Sequence, residues 1–148
     1  MSVFPLQKDG TLAPADTLFQ GSATGPDAIR QATPHIHCTV FSPDGKYIFA
    51  TDFSADRILR FVMHPDDPIP HASLEAVGIE ADSGPRHLTF SPNGKFAYLI
   101  TELSGKVIAF SYDDGCLEQI QTITADTVAA RGKCRHPPQS GWEIPLRQ

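Results

Sequence analysis

Five side chains, set in two short stretches and at one strand end, have the types needed for acid–base chemistry at a carbonyl. His35 and His37 lie in PHIH (residues 34–37), Arg86 and His87 in GPRH (residues 84–87), and Glu102 opens ELSG (residues 102–105). Attack of water on a carbonyl needs a group that accepts a proton and a donor for the oxyanion that develops. Glu102 or His37 can act as that base. Arg86 can hold the oxyanion or, through its planar fork, a substrate carboxylate or phosphate. Each also has a purely structural reading. A His ahead of a strand often makes a structural hydrogen bond, an Arg after Gly-Pro can tie segments through carbonyls, and a loop Glu is usually solvated. Two His at i, i+2 share one side of a strand and can begin a metal site. No third or fourth ligand follows at suitable spacing, so neither a metal nor another cofactor is expected. GxSxG, phosphate-loop and dinucleotide fingerprints are absent.

The elements that position these residues are strands. A chain of 148 residues with 41% hydrophobic and 20% charged residues reads as one soluble domain. Its net charge of −5, with Lys and Arg scattered, points away from nucleic acid and from anionic membrane. No apolar run approaches the roughly 20 residues that cross a bilayer, and the N-terminus lacks the pattern of a signal peptide. Three cysteines without CxxC spacing suit reduced thiols, and a cytoplasmic location is expected. Thirteen prolines and eleven glycines imply many turns, and no window keeps a helical apolar period. The fold class is therefore all-β.

A repeat organises the strands. HCTVFSPDGKYIFATDFSADRILRF begins at His37 and HLTFSPNGKFAYLITELSGKVIAF at His87. Their turns, FSPDGK and FSPNGK, start at Phe41 and Phe90. Spacing of about 50 residues belongs to solenoids and propeller blades. Within each unit the reading is a short strand, a Ser-Pro-Asp/Asn-Gly turn, a second strand, a polar loop, then two more strands. The strands are expected at residues 39–41, 47–50, 58–62 and 74–79, and again at 88–90, 96–100, 107–112 and 117–123. Four antiparallel strands per repeat make a propeller blade. Residues 2–20 match the outer half of such a blade, with Asp9-Gly10 standing where Asp114-Gly115 stands later. The expectation is an incomplete β-propeller of about two and a half blades: a half blade at 2–20 and full repeats near 37–80 and 86–125, within a domain over residues 1–132. Such a ring is open, so self-association through exposed sheet edges is expected.

The motifs PHIHCTVFSPDGKYIFATD, GPRHLTFSPNGKFAYLITELSG and YDDGCLEQIQTI resemble the lactonase family of seven-bladed β-propellers. That group contains one type of 6-phosphogluconolactonase and the related carboxymuconate cyclases. The resemblance implies a sugar-lactone hydrolase with a small-molecule lactone as its partner, impaired in so short a chain. It leaves two alternatives: a cyclase acting on an unphosphorylated dicarboxylate, and a propeller without catalysis. It implies His37, Arg86 and Glu102 as catalytic residues, with His35 and His87 beside them toward substrate.

The stretch RGKCRHPPQSGWEIPLRQ, from residue 131, has no blade pattern. With suitable codons, reading from Cys134 one base later yields ADIHLSPDGKFLYA, the opening expected of a next blade. The single Trp codon at Trp142 forces a Gly in that frame. Residues 133–148 are thus expected to be a frameshifted tail caused by one inserted base near Lys133. Independent reads of the gene across codon 133 should show one base in excess, with blade codons running on beyond it. An unbroken frame in all reads would remove the frameshift.

Overall fold

The computed structural model describes residues 1–64 and 67–125, with the strand over 67–76 described by its backbone alone. The expected tail at 133–148 lies outside the described residues. All the regular elements described are strands. The first four-stranded sheet runs β3 (Ile36–Phe41), β4 (Tyr47–Asp52), β5 (Arg57–His64) and β6 (Asp67–Gly78). The second runs β7 (Pro85–Phe90), β8 (Phe96–Thr101), β9 (Lys106–Asp113) and β10 (Cys116–Thr124). Each is an antiparallel meander in chain order. At the N-terminus β1 (Ser2–Val3) pairs with β2 (Thr17–Leu18), and a bridge between Leu6 and Leu12 extends the hairpin. Its prolines keep the pairing short, because Pro5 and Pro14 offer no N–H to a ladder. Two and a half four-stranded units is the arrangement expected of an incomplete propeller.

The first turn of each full blade is built identically. Ser42 Oγ lies 2.5 Å from Asp44 Oδ1, and the Tyr47 N–H donates to Ser42 Oγ at 3.0 Å. In the second blade Ser91 Oγ lies 2.7 Å from Asn93 Oδ1, and the Phe96 N–H donates to Ser91 Oγ at 3.0 Å. Gly45 and Gly94 close the turns at φ of 71° and 69°, a region that glycine enters without steric cost.

Several strands begin earlier than the sequence pattern marks. The innermost ones start at Ile36 and Pro85 rather than at 39 and 88, because the ladder continues through an irregularity that breaks side-chain alternation. The fourth strand of the first blade starts at Asp67 rather than 74.

The two sheets pack face to face. Phe49 and Ile58 from the first sheet meet Leu88, Ala97, Leu99, Ile108 and Phe110 from the second. On its other face β4 sends Ile48 and Ala50, with Phe61 of β5, against Met1 and Phe19 of the N-terminal segment. Thus β4 is covered on both sides, while β8 alternates: Ala97 and Leu99 are buried, but Tyr98 and Ile100 remain 42% and 43% exposed. Side chains also latch the outer edges together. Arg60 Nη1 donates to the Gly115 carbonyl at 2.8 Å and lies over the Tyr47 ring. Lys46 Nζ reaches Asp114 Oδ1 at 2.8 Å, so this turn aspartate also bridges blades.

Phe49, 1% exposed, anchors the sheet-to-sheet contact. Phe49→Ala should lower unfolding stability by about 3–5 kcal/mol in urea melts. The same truncation at Phe41, 61% exposed, should change it by less than about 0.5 kcal/mol. Equal effects at the two positions would contradict this packing.

Candidate active site

The site grows from a defect shared by both innermost strands. Ile36 faces Asp52 and Cys38 faces Thr51, so His37 is one residue extra on β3. Likewise Pro85 faces Thr101 and His87 faces Ile100, which makes Arg86 the extra residue on β7. A bulge of this kind re-aims one side chain and is common beside active sites. The ladder therefore matches His37 to Arg86, and not to His87 as the repeated letters suggest.

Thr51 joins the two bulges. Its Oγ1 accepts the Cys38 N–H at 3.0 Å and donates to the Arg86 carbonyl at 2.8 Å. The loop leading into β7 is held by Asp56, whose buried carboxylate accepts the N–H groups of Asp82, Ser83 and Gly84 at 2.8, 3.0 and 2.8 Å. Gly84 is required there: at φ 59° an added Cβ would stand 2.7 Å from Leu103 and 2.8 Å from Phe53. Asp52, fully buried, accepts from Arg57 Nε and lies 3.0 Å from Arg57 Nη2, fixing the next loop.

The bulges bring His37, Arg86, His87 and Glu102 together. Arg86 Nε donates to His37 Nε2 at 3.4 Å and stands 3.3 Å from Glu102 Oε2. The His37 and His87 rings meet edge to face at 5.0 Å. Glu102 sits just beyond β8, its N–H donating to the Gly84 carbonyl at 2.8 Å. A second guanidinium, Arg30, pairs through Nη2 with Glu102 Oε1. Arg30 lies in residues 21–34, a polar stretch between the half blade and the first full repeat that carries no recognisable motif. Its one signal was Asp27, an aspartate placed to accept the N–H groups of Ile29 and Arg30.

His35 stands outside this cluster. Its Nδ1 lies 2.9 Å from Ser54 Oγ, and its ring meets Phe53 at 6.3 Å. The i, i+2 alternation invoked for His35 and His37 does not apply, because β3 starts after His35 and bulges at His37. Among the described residues no three His, Cys, Asp or Glu side chains converge to hold a metal ion.

The electrostatics divide the roles. Burial, then the charges of His87 and Arg86, push the His37 pKa below its ordinary value, against an opposing pull from Glu102. Burial pushes Glu102 up, but the hydrogen bond and charge of Arg30, followed by Arg86 and His37, outweigh it and hold the carboxyl below the usual range. His37 thus accepts a hydrogen bond at Nε2 as a neutral imidazole, and Glu102 is an ionised carboxylate clasped by two cations. Two clefts, of about 280 and 180 Å³, lie instead under the N-terminal hairpin around Phe19 and Gln20. Neither cleft is lined by any of these groups.

Sheets and site together define a piece of a β-propeller whose polar cluster lies where two innermost strands adjoin. The Lactonase, 7-bladed beta-propeller family model matches residues 1–139, and the chain belongs to that family. It is 33% identical over 145 residues to the 6-phosphogluconolactonase of Bacillus subtilis (strain 168), covering 94% of this chain and 40% of that protein. It is 34% identical over 127 residues to the 6-phosphogluconolactonase of Formosa agariphila, covering 84% of this chain and 36% of that one. A crystal structure from Bacteroides uniformis ATCC 8492, provisionally named a 6-phosphogluconolactonase, superposes with a TM-score of 0.85 at 99% identity. It covers 88% of this chain and 38% of its own. The periplasmic gluconolactonase of Pseudomonas aeruginosa superposes at 0.81 with 38% identity, covering 89% and 37%. The chain spans about two fifths of the length of these relatives.

The charge pattern makes a test. In an NMR titration His37 should deprotonate below the ordinary histidine pKa near 6.5. Arg86→Gln should move that value up, and Glu102→Gln should move it further down. A His37 that titrates normally and ignores both substitutions would contradict the geometry.

Proposed function

We propose that the protein is a sugar-lactone hydrolase of the 6-phosphogluconolactonase type, its full activity belonging to the complete propeller. The observation that carries this reading is the contact of Arg86 Nε with a neutral His37 at the junction of two blades. The names of the relatives support the substrate class.

In this reading His37 Nε2 takes a proton from water and the resulting hydroxide attacks the lactone carbonyl. Arg86 stabilises the oxyanion. Collapse breaks the ring C–O bond, the leaving alkoxide takes the proton from His37, and a hydroxy acid departs as its carboxylate. Glu102 orients Arg86 rather than serving as the base, because a carboxylate shared by two guanidiniums binds protons weakly. His87 packs against the base. The lowered pKa keeps His37 unprotonated at neutral pH, so activity should fall only as pH drops below about 6.5.

A cytoplasmic location belongs to the same reading, since phosphorylated sugars do not cross bilayers unaided. Among the described residues no helix is long and apolar enough to span a membrane, and Cys38 and Cys116 are free thiols. The Pseudomonas relative is named as periplasmic.

Lactone hydrolysis by a complete propeller that carries these residues is the test. Arg86→Ala and His37→Ala should each lower kcat by about 10²–10⁴-fold with the fold retained. Hydrolysis unchanged by either would sink the assignment. Activity only on an unsaturated dicarboxylate would favour the cyclase chemistry instead.

A further inference from the structure

We propose that Arg30 is the substrate-phosphate residue of this site, holding the anionic end of the sugar while Arg86 addresses the carbonyl. The inference rests on the lactonase reading and names the group that reading leaves without a partner.

Arg30 is carried by a loop built to present it. Gln31, fully buried, donates from Nε2 to the Phe53 carbonyl at 2.9 Å and accepts the Asp27 N–H at 3.1 Å. The Gln31 N–H returns to the Asp27 carbonyl at 2.8 Å, and Asp27 Oδ1 accepts the N–H groups of Ile29 and Arg30, each at 2.9 Å. Gly25 leaves room for this plug: a Cβ there would stand 2.3 Å from Gln31 Oε1 and 2.4 Å from the Ser54 carbonyl. So many bonds within one short connection fix its backbone against the start of the first blade. The guanidinium then lies 5.7 Å from the centre of the Phe53 ring, a face that limits where it can swing.

The charge at this point exceeds what structure requires. Arg30 and Arg86 share a single carboxylate, Glu102, and His37 beside them is neutral, so the cluster carries a net positive charge on a chain whose total is −5. Among the described residues the Arg30 guanidinium hydrogen-bonds through Nη2 alone, and Arg86 meets His37 and Glu102 through Nε. Both arginine side chains are 42% exposed, whereas Glu102 is 13% exposed. The carboxylate is thus the more buried partner and the two guanidiniums the more exposed ones, and an exposed planar fork can receive an oxyanion in a bidentate manner. Glu102 holds the two guanidiniums on its separate oxygens, so a bound anion on one leaves the other for the carbonyl.

The test is binding without turnover. The chain is titrated with inorganic phosphate, with 6-phosphogluconate and with gluconate. The arginine Nε–H and His37 resonances are followed by NMR, and near-UV circular dichroism confirms that each variant keeps its packing. Phosphate and 6-phosphogluconate should shift the Arg30 signal saturably, and gluconate should bind more weakly. Arg30→Gln should weaken the phosphate-bearing ligands by about tenfold or more and leave gluconate unchanged. Arg30→Lys, which keeps charge without the fork, should recover part of the loss. Equal binding of gluconate and 6-phosphogluconate, or no loss in Arg30→Gln, would overturn the proposal while hydrolysis by His37 and Arg86 still stood. Phosphate binding intact in a protein without lactonase activity would instead count against the enzyme reading alone.

Discussion

A blade of this protein buries an apolar face only where another sheet or segment lies against it. The first blade meets that condition: Phe49 is sealed by the second blade, and Ile48 and Ala50 by the N-terminal segment. That packing sets β3 against β7, and with them the two bulges that present His37 and Arg86. The second blade meets the condition on one face only, and Tyr98 and Ile100 show what an uncovered blade looks like. Site and stability therefore share one cause. The His37, Arg86 and Glu102 cluster is assembled by the same sheet-on-sheet contact that buries the core, and no single blade holds it.

Three carboxylates near this junction show how burial assigns work. Asp56 spends its charge on three backbone N–H groups, and Asp52 on Arg57 and a loop N–H. Both are sealed from solvent and fix loops. Glu102 lies at the rim, and its partners are two guanidiniums that still face outward. A carboxylate in that position is better suited to arranging cations than to moving protons. His37, neutral and partly exposed, is left as the group able to take one.

Much of this architecture is legible in the sequence. The paired turns at Ser42 and Ser91 announced the blade repeat because their Pro, Asp or Asn, and Gly each answer a specific backbone need. The hairpin at Asp114 and Gly115 was equally plain. The bulges were not, since an extra residue leaves no mark in an apolar pattern. The letters HCTVF and HLTF set His37 against His87, whereas the two ladder irregularities make it the counterpart of Arg86. Arg30 was hidden for another reason. It acts across a large separation in sequence, and the buried Gln31 that seats it is a polar residue whose partners exist only in the folded chain.

The central claim is that adjacent bulges on two blades form one lactone site. Its most direct test is a crystal structure, with 6-phosphogluconate bound, of a complete propeller that carries these residues. This account predicts the product carboxylate within hydrogen-bond reach of both Arg86 and His37, with Glu102 still held by a guanidinium. A product bound elsewhere on the propeller, with the His37–Arg86 contact undisturbed, would contradict it.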